Sequence, residues 1–325
     1  MRYSRSLAVL ASIAACAGPA PEAQPEPGTC IVACGQRIPI GTRVVLWDEP
    51  GGYSAYSDQL HFEAPAAGTE VPQPGSLRFE AGRRTKGAQP QQLVEPGSED
   101  LEALRPAVDL FVLHYDACGY AERCFRVLHD RRGLSVHFLL DVDGTIYQTL
   151  DLRERAWHAG EVNTRSIGVE IANIGSRRTD DGLGLEDIDA WYSADGQGLR
   201  LDPPHWAVPK AVHTPGFVGY SARDERVEGL AQGEWRAQYD FTPEQYEALV
   251  LLAAALVETF PRIDPDAPRG PDGEVLTSVM APGQLASFGG IVGHHHVSAV
   301  KQDPGPAFRW EPFLEDVGKA LARGR

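Results

Sequence analysis

No run of this sequence stays apolar for the roughly 18 to 20 residues that a bilayer crossing requires; the longest, Leu7–Ala17 and Leu249–Val257, fall well short. Basic residues are in deficit. The chain has 30 Lys and Arg against 45 Asp and Glu, a formal charge of −15, which argues against a nucleic-acid partner held through phosphates. Cysteine is rare, five in 325 residues, and the close C-x2-C spacing of zinc knuckles is missing. No internal repeat is present. What remains is a globular mixture, 42% hydrophobic and 23% charged, able to bury the core of one large domain or two ordinary ones.

The first of the two apolar runs reads as an export signal, because it follows Arg2 and Arg5 and ends in small residues. Ile13-Ala14-Ala15-Cys16 resembles a bacterial lipobox. It makes Cys16 the expected lipidated N-terminus of a mature chain tethered by acyl chains, the alternative being an ordinary signal peptide cut near Ala17 to Ala20. Cys30, Cys34, Cys118 and Cys124 remain. In an exported chain they suggest two disulfides, with sequence proximity favouring Cys30–Cys34 and Cys118–Cys124.

Residues 17–35 begin with Pro, Ala and Glu in no periodic order, a tether that cannot pack. Residues 36–106 read as a loop-rich N-terminal extension containing one strand-like stretch, Thr42–Trp47. Over 107–322 the pattern sharpens into one domain. Val108–Leu113 is a buried strand ending at His114, and Ala121–Arg132 is helical. Val136–Leu140 and Thr145–Leu150 form a hairpin about Asp143-Gly144, and residues 166–173 form a further strand. Residues 175–240 are too long for an ordinary loop and form an insertion, with a lid as one possible role. Thr242, Pro243 and Gln245 predict a boxed helix start. Tyr246, Leu249, Val250, Ala253, Val257 and Phe260 form its inward stripe, and a last helix runs from Pro312 to about Leu321. Strands alternating with helices, plus one hairpin, predict an α/β fold with a mixed central sheet flanked by helices.

Three segments concentrate chemistry. His114 stands at a strand end, where sheets present reactive groups to a crevice. On the 166–173 strand, Gly168, Glu170 and Ala172 share one side, which leaves Glu170 beside nearly bare neighbours. In residues 293–308, GHHHVSAVKQDPGPAF, imidazoles and a carboxylate suit zinc. There Lys301 and Asp303 project to one side of an extended, proline-stiffened backbone.

Together VDLFVLHYD (108–116), LSVHFLLDVDGTIYQ (134–148), RAWHAG (155–160), NTRSIGVEIAN (163–173) and GHHHVSAVKQDPGPAF (293–308) resemble the zinc-dependent N-acetylmuramoyl-L-alanine amidases. Their superfamily includes phage-type amidases and peptidoglycan recognition proteins. The motifs occur in family order and cover about residues 107–312, leaving out 17–106 and 175–240.

The resemblance implies a zinc ion held by His114, His294 and Asp303, with Glu170 and Lys301 catalytic. The stretch from His294 to Lys301 is one residue shorter than in many relatives, which leaves His295 as the alternative ligand. His137, Trp157, His158 and Asn163 fall in the same motifs and are expected at the substrate groove, His137 as a buttress and His295 and His296 along the lining. A Cys118–Cys124 bridge matches the short disulfide of the recognition proteins. The implied reaction is hydrolysis of the amide between N-acetylmuramic acid and L-alanine, with peptidoglycan or muropeptides as partners and a lipid anchor as the sole tie to a membrane. Ala17 is not the aspartate that retains lipoproteins at the inner membrane, so the expected location is the outer membrane, facing the periplasm. A wall-binding module without activity and a zinc carboxypeptidase are the rival readings.

Overall fold

The computed structural model describes residues 28–62, 68, 71–73, 75–180, 182–207 and 212–324. The export signal, Cys16 and the first part of the tether lie outside the described residues. The described chain opens with a hairpin, β1 (Cys30–Ala33) and β2 (Gln36–Pro39), and then β3 (Val44–Leu46). Short strands β4 (Phe79–Glu80), β5 (Arg83–Arg84) and β6 (Gln92–Val94) and one helical turn, α1 (Leu101–Leu104), lead to β7 (Leu110–Tyr115).

Helix α2 (Ala121–Phe125) continues as a π-helical turn through Arg132, before β8 (Phe138–Leu140), β9 (Ile146–Gln148), β10 (Arg155–Ala156) and β11 (Ser166–Ile171). The described residues of the insertion form regular elements. They include β12 (Arg177–Arg178), α3 (Leu185–Asp189), the hairpin of β13 (Tyr192–Asp195) with β14 (Gly198–Leu201), and that of β15 (Val227–Ala231) with β16 (Glu234–Gln238). Helix α4 (Pro243–Thr259), α5 (Pro282–Ser287), β17 (Gly290–Gly293), α6 (His294–Val297) and α7 (Trp310–Arg323) complete it.

Six strands form one mixed sheet in the order β17-β7-β11-β8-β9-β3. The first four are parallel, β9 turns back antiparallel to β8, and β3 runs parallel to β9. The fold class is therefore the expected one. The N-terminal extension, however, belongs to the sheet: β3 pairs Val44 with Ile146 and Leu46 with Gln148 as its edge strand.

Alternation along β7 and β11 divides their faces. Phe111, Leu113, Ile167, Val169 and Ile171 enter a core shared with α4 and α7. Leu110, Val112 and His114 point to the other side, as do Gly168 and Glu170. Helix α4 starts at the reciprocal Thr242–Gln245 box, which satisfies two of its free N–H groups. Its buried face centres on Leu249, Leu252, Ala253 and Leu256, and each such leucine contributes about 1.5 to 3 kcal/mol. Tyr246, Val250 and Val257 are only partly buried, because α7 covers one flank of the helix while the sheet covers its base.

The two expected disulfides are corrected by the structure: Cys30, Cys34, Cys118 and Cys124 are buried free thiols. Cys30 opens β1 and Cys34 lies just beyond its end. Four residues of extended chain cover about 13 Å, past the roughly 7 Å that a bridge tolerates between Cα atoms. Burial pushes the Cys118 and Cys124 thiols up, and both pack in the core cluster beneath β8 and β9.

Candidate metal centre and catalytic cleft

His114 near the end of β7, His294 at the start of α6 and Asp303 in the following loop meet at three atoms. His114 Nδ1 lies 2.9 Å from Asp303 Oδ2 and 3.0 Å from His294 Nδ1, and His294 Nδ1 lies 3.0 Å from Asp303 Oδ2. All three residues are buried. Two imidazole nitrogens and a carboxylate oxygen are donors that zinc takes at about 2.0 to 2.2 Å. Tetrahedral bonds of that length space ligands roughly 3.3 to 3.6 Å apart, so the triangle needs only to open by a few tenths of an ångström. The donor set fits. Burial, reinforced by His294, lowers the His114 imidazole to about 4 and keeps it neutral. Burial alone would raise Asp303, but the two imidazoles overcome it and hold the carboxyl well below the ordinary range.

The backbone around His294 explains why it, and not His295, joins the triangle. A Cβ at Gly293 would come within 2.6 Å of His295 Nδ1 and of Pro304 Cδ, so only glycine lets the strand meet the loop there. The His295 N–H donates to Asp303 O at 3.0 Å, and its ring lies between Asp303 O and Leu276 O. His296 accepts from the Gly293 N–H at 3.0 Å and donates to Leu276 O at 2.6 Å. Both rings are buried within this loop system, instead of lining the groove as expected. Gln232, in the β15–β16 turn of the insertion, donates to the carbonyls of His295, Ser298 and Lys301 at 2.8 to 3.0 Å. This support was not anticipated, since a lone glutamine in a turn carries no motif.

A cavity of about 550 Å³ opens over the triangle. Glu170 stands directly beside His114, because the parallel register of β11 and β7 pairs the two residues. Burial, with Asp303 and Asp116 adding to it and Lys301 opposing, pushes the Glu170 carboxyl well up. Lys301 and Trp157 also line the cavity, and Arg123 and Arg132 add positive charge to its wall. The Arg123 guanidinium lies over Trp206 at 5.0 Å and Trp191 at 5.4 Å, both from the insertion.

The remaining expected groove residues divide. His158 lines the cavity, with Nδ1 3.0 Å from His114 Nε2 and Nε2 3.2 Å from Ser166 Oγ. His137 does not reach the cavity. It is fully buried, accepting from the Gly168 N–H at 3.2 Å and donating to Glu154 O at 3.1 Å, and burial beside Arg83 lowers its imidazole to about 3. Asn163 is buried as well, and its carboxamide oxygen accepts from the N–H groups of His158 and Ala159. Beneath them Arg83, fully buried in β5, donates to the carbonyls of Leu152, Asn163, Thr164 and Ser166. Its sequence surroundings, a basic and Gly-rich stretch, gave no sign of this role.

Residues 104–306 match the family described as N-acetylmuramoyl-L-alanine amidase. No curated protein matches the chain. Among solved structures it is similar to the E. coli amidase AmiD in complex with the substrate anhydro-N-acetylmuramic acid-L-Ala-D-gamma-Glu-L-Lys, at 18% identity and TM-score 0.38 over 72% of this chain and 65% of that one. It is also similar to a selenomethionine derivative of AmpD, at 18% identity and TM-score 0.32 over 78% and 96% of the two chains. A third is the endolysin LysCS from Clostridium intestinale, at 15% identity and TM-score 0.34 over 65% and 84%. The chain thus spans just under two thirds of the AmiD chain.

Proposed function

This chain belongs to the N-acetylmuramoyl-L-alanine amidase family, and from that premise we propose that it hydrolyses the amide joining N-acetylmuramic acid to L-alanine in peptidoglycan or its fragments. The observation that carries this reading is the triangle of His114, His294 and Asp303, with Glu170 on the adjoining strand and Lys301 on the same cavity. His114, His294 and Asp303 would hold zinc. When bound, the ion would polarise the scissile carbonyl and bring the pKa of water toward about 7.

Glu170 accepts a proton from the attacking water and passes it to the departing alanine nitrogen, which must be protonated to leave. Its raised pKa suits both halves of that transfer, since a carboxylate held above its ordinary range is the stronger base. Lys301 places an ammonium where negative charge develops on the former carbonyl oxygen.

The sequence features at the N-terminus support an envelope location: export followed by lipidation at Cys16 would bring the enzyme to its polymer at the outer membrane. Glu170→Ala and Asp303→Ala test the site. The first should retain zinc by metal analysis and lose muropeptide cleavage, and the second should lose both. Full zinc occupancy in Asp303→Ala, or release of terminal D-alanine by the intact enzyme, contradicts the proposal.

A further inference from the structure

His158 sits where a substrate-groove residue is expected, yet its two ring nitrogens are turned to protein. One is 3.0 Å from His114 Nε2 and the other 3.2 Å from Ser166 Oγ. Room for the ring is made by glycine: a Cβ at position 168 would come within 2.5 Å of His158 Cε1. The ring therefore lies close against β11, in space that any side chain at position 168 would fill. Its backbone is fixed as firmly, because Asn163 accepts from the His158 and Ala159 N–H groups, and Arg83 holds the Asn163, Thr164 and Ser166 carbonyls beneath.

We infer that His158 is a positioning residue for the metal ligand His114: it accepts the His114 Nε2 proton and thereby fixes both the ring's orientation and the nitrogen left free for zinc. The inference rests on the zinc reading above. A neutral imidazole that offers Nδ1 to a cation carries its proton on Nε2. That proton needs an acceptor, and at 3.0 Å His158 Nδ1 is the acceptor present. His158 then carries its own proton on Nε2 and donates it to Ser166 Oγ. The direction of the whole relay follows from the first assignment. Metal-bound histidines usually donate to a carboxylate or carbonyl, and removing such a partner typically lowers metal affinity about 10- to 100-fold. Here a second imidazole takes that place, supplied by a loop that the N-terminal segment clamps through Arg83.

The test is zinc affinity, read by competition with a chelating dye on the purified full chain, alongside KM and kcat at saturating zinc. His158→Phe keeps a ring but has no acceptor, and should bind zinc about 10- to 100-fold more weakly with KM unchanged. His158→Asn retains an acceptor at the place of Nδ1 and should stay within a few-fold of the parent. Gly168→Ala drives the ring off β11 and should weaken zinc binding in the same sense as His158→Phe, which keeps the inference testable if the Phe variant fails to fold. Parental zinc affinity in His158→Phe with a raised KM would assign His158 to the substrate and overturn the inference, as would an Asn variant as weak as the Phe variant. A parent chain that takes up no zinc would instead remove the metal reading of the site, and this role with it.

Discussion

Arg83→Met offers the sharpest check on how the cleft is held. Four of the Arg83 hydrogen bonds are 3.2 Å or shorter, two to Leu152 O and one each to Thr164 O and Ser166 O. At about 1.5 to 3 kcal/mol for each bond from a charged donor, they are worth roughly 6 to 12 kcal/mol. Burial of the cation, which draws its pKa down from 12.5 to about 10, takes back about 3 kcal/mol. The methionine side chain fills most of the space but donates nothing, so the expected loss is at least about 3 kcal/mol. Against a typical total of about 5 to 15 kcal/mol that is a large fraction. Urea unfolding of parent, Arg83→Met and Arg83→Lys measures it; lysine keeps the charge with a poorer fork and should fall between. Amide exchange over residues 158–166 should accelerate in the Met variant, because that loop loses its floor. A loss under about 1 kcal/mol, with exchange unchanged, would refute the view that this guanidinium holds the loop.

Two further outcomes follow from the geometry. Lys301→Met should lower kcat about 100- to 1,000-fold with little change in KM, as expected for a group used in the transition state; steady-state kinetics with kcat within tenfold of the parent would exclude that role. Asp141 is buried and its carboxyl is raised from 3.8 to about 7, first by burial and then by Asp143. Its stabilising contribution is therefore complete below about 3.8 and is lost as pH rises through 7. Asp141→Asn keeps an oxygen for the Ala121 and Val142 N–H groups. It should raise stability at pH 8, by up to about 4 kcal/mol, and change little at pH 4; equal effects at both values in denaturant titrations would contradict the shift.

Much of the centre was legible because it is written locally. Glu170 could be placed from strand alternation, Lys301 and Asp303 from a proline-stiffened extended segment, and the start of α4 from its capping box. His294 came from the resemblance with His295 left open, since three consecutive histidines differ only in which way a short helix turns them, and it is His294 that lies against Asp303. Arg83 and Gln232 were invisible because each serves backbone carbonyls distant in sequence, and a carbonyl acceptor leaves no mark on residue identity. The same holds for β3: its three apolar residues announced a strand, but not that its partner would be β9. The Cys30–Cys34 bridge failed for a related reason, because closeness along the chain is not closeness in space when the intervening residues are extended.

The outer strand β3 also sets where this protein can be cut. Trimming to the recognised stretch, 104–306, would strip the covering from β9 and leave a bare row of amide and carbonyl groups, an invitation to sticky self-association. It would discard Arg83 and the helix that backs α4 as well. Anyone preparing a minimal enzyme should begin upstream of residue 28 and carry on through residue 323, and should treat the front third of the polypeptide as scaffold that the catalytic cleft cannot do without.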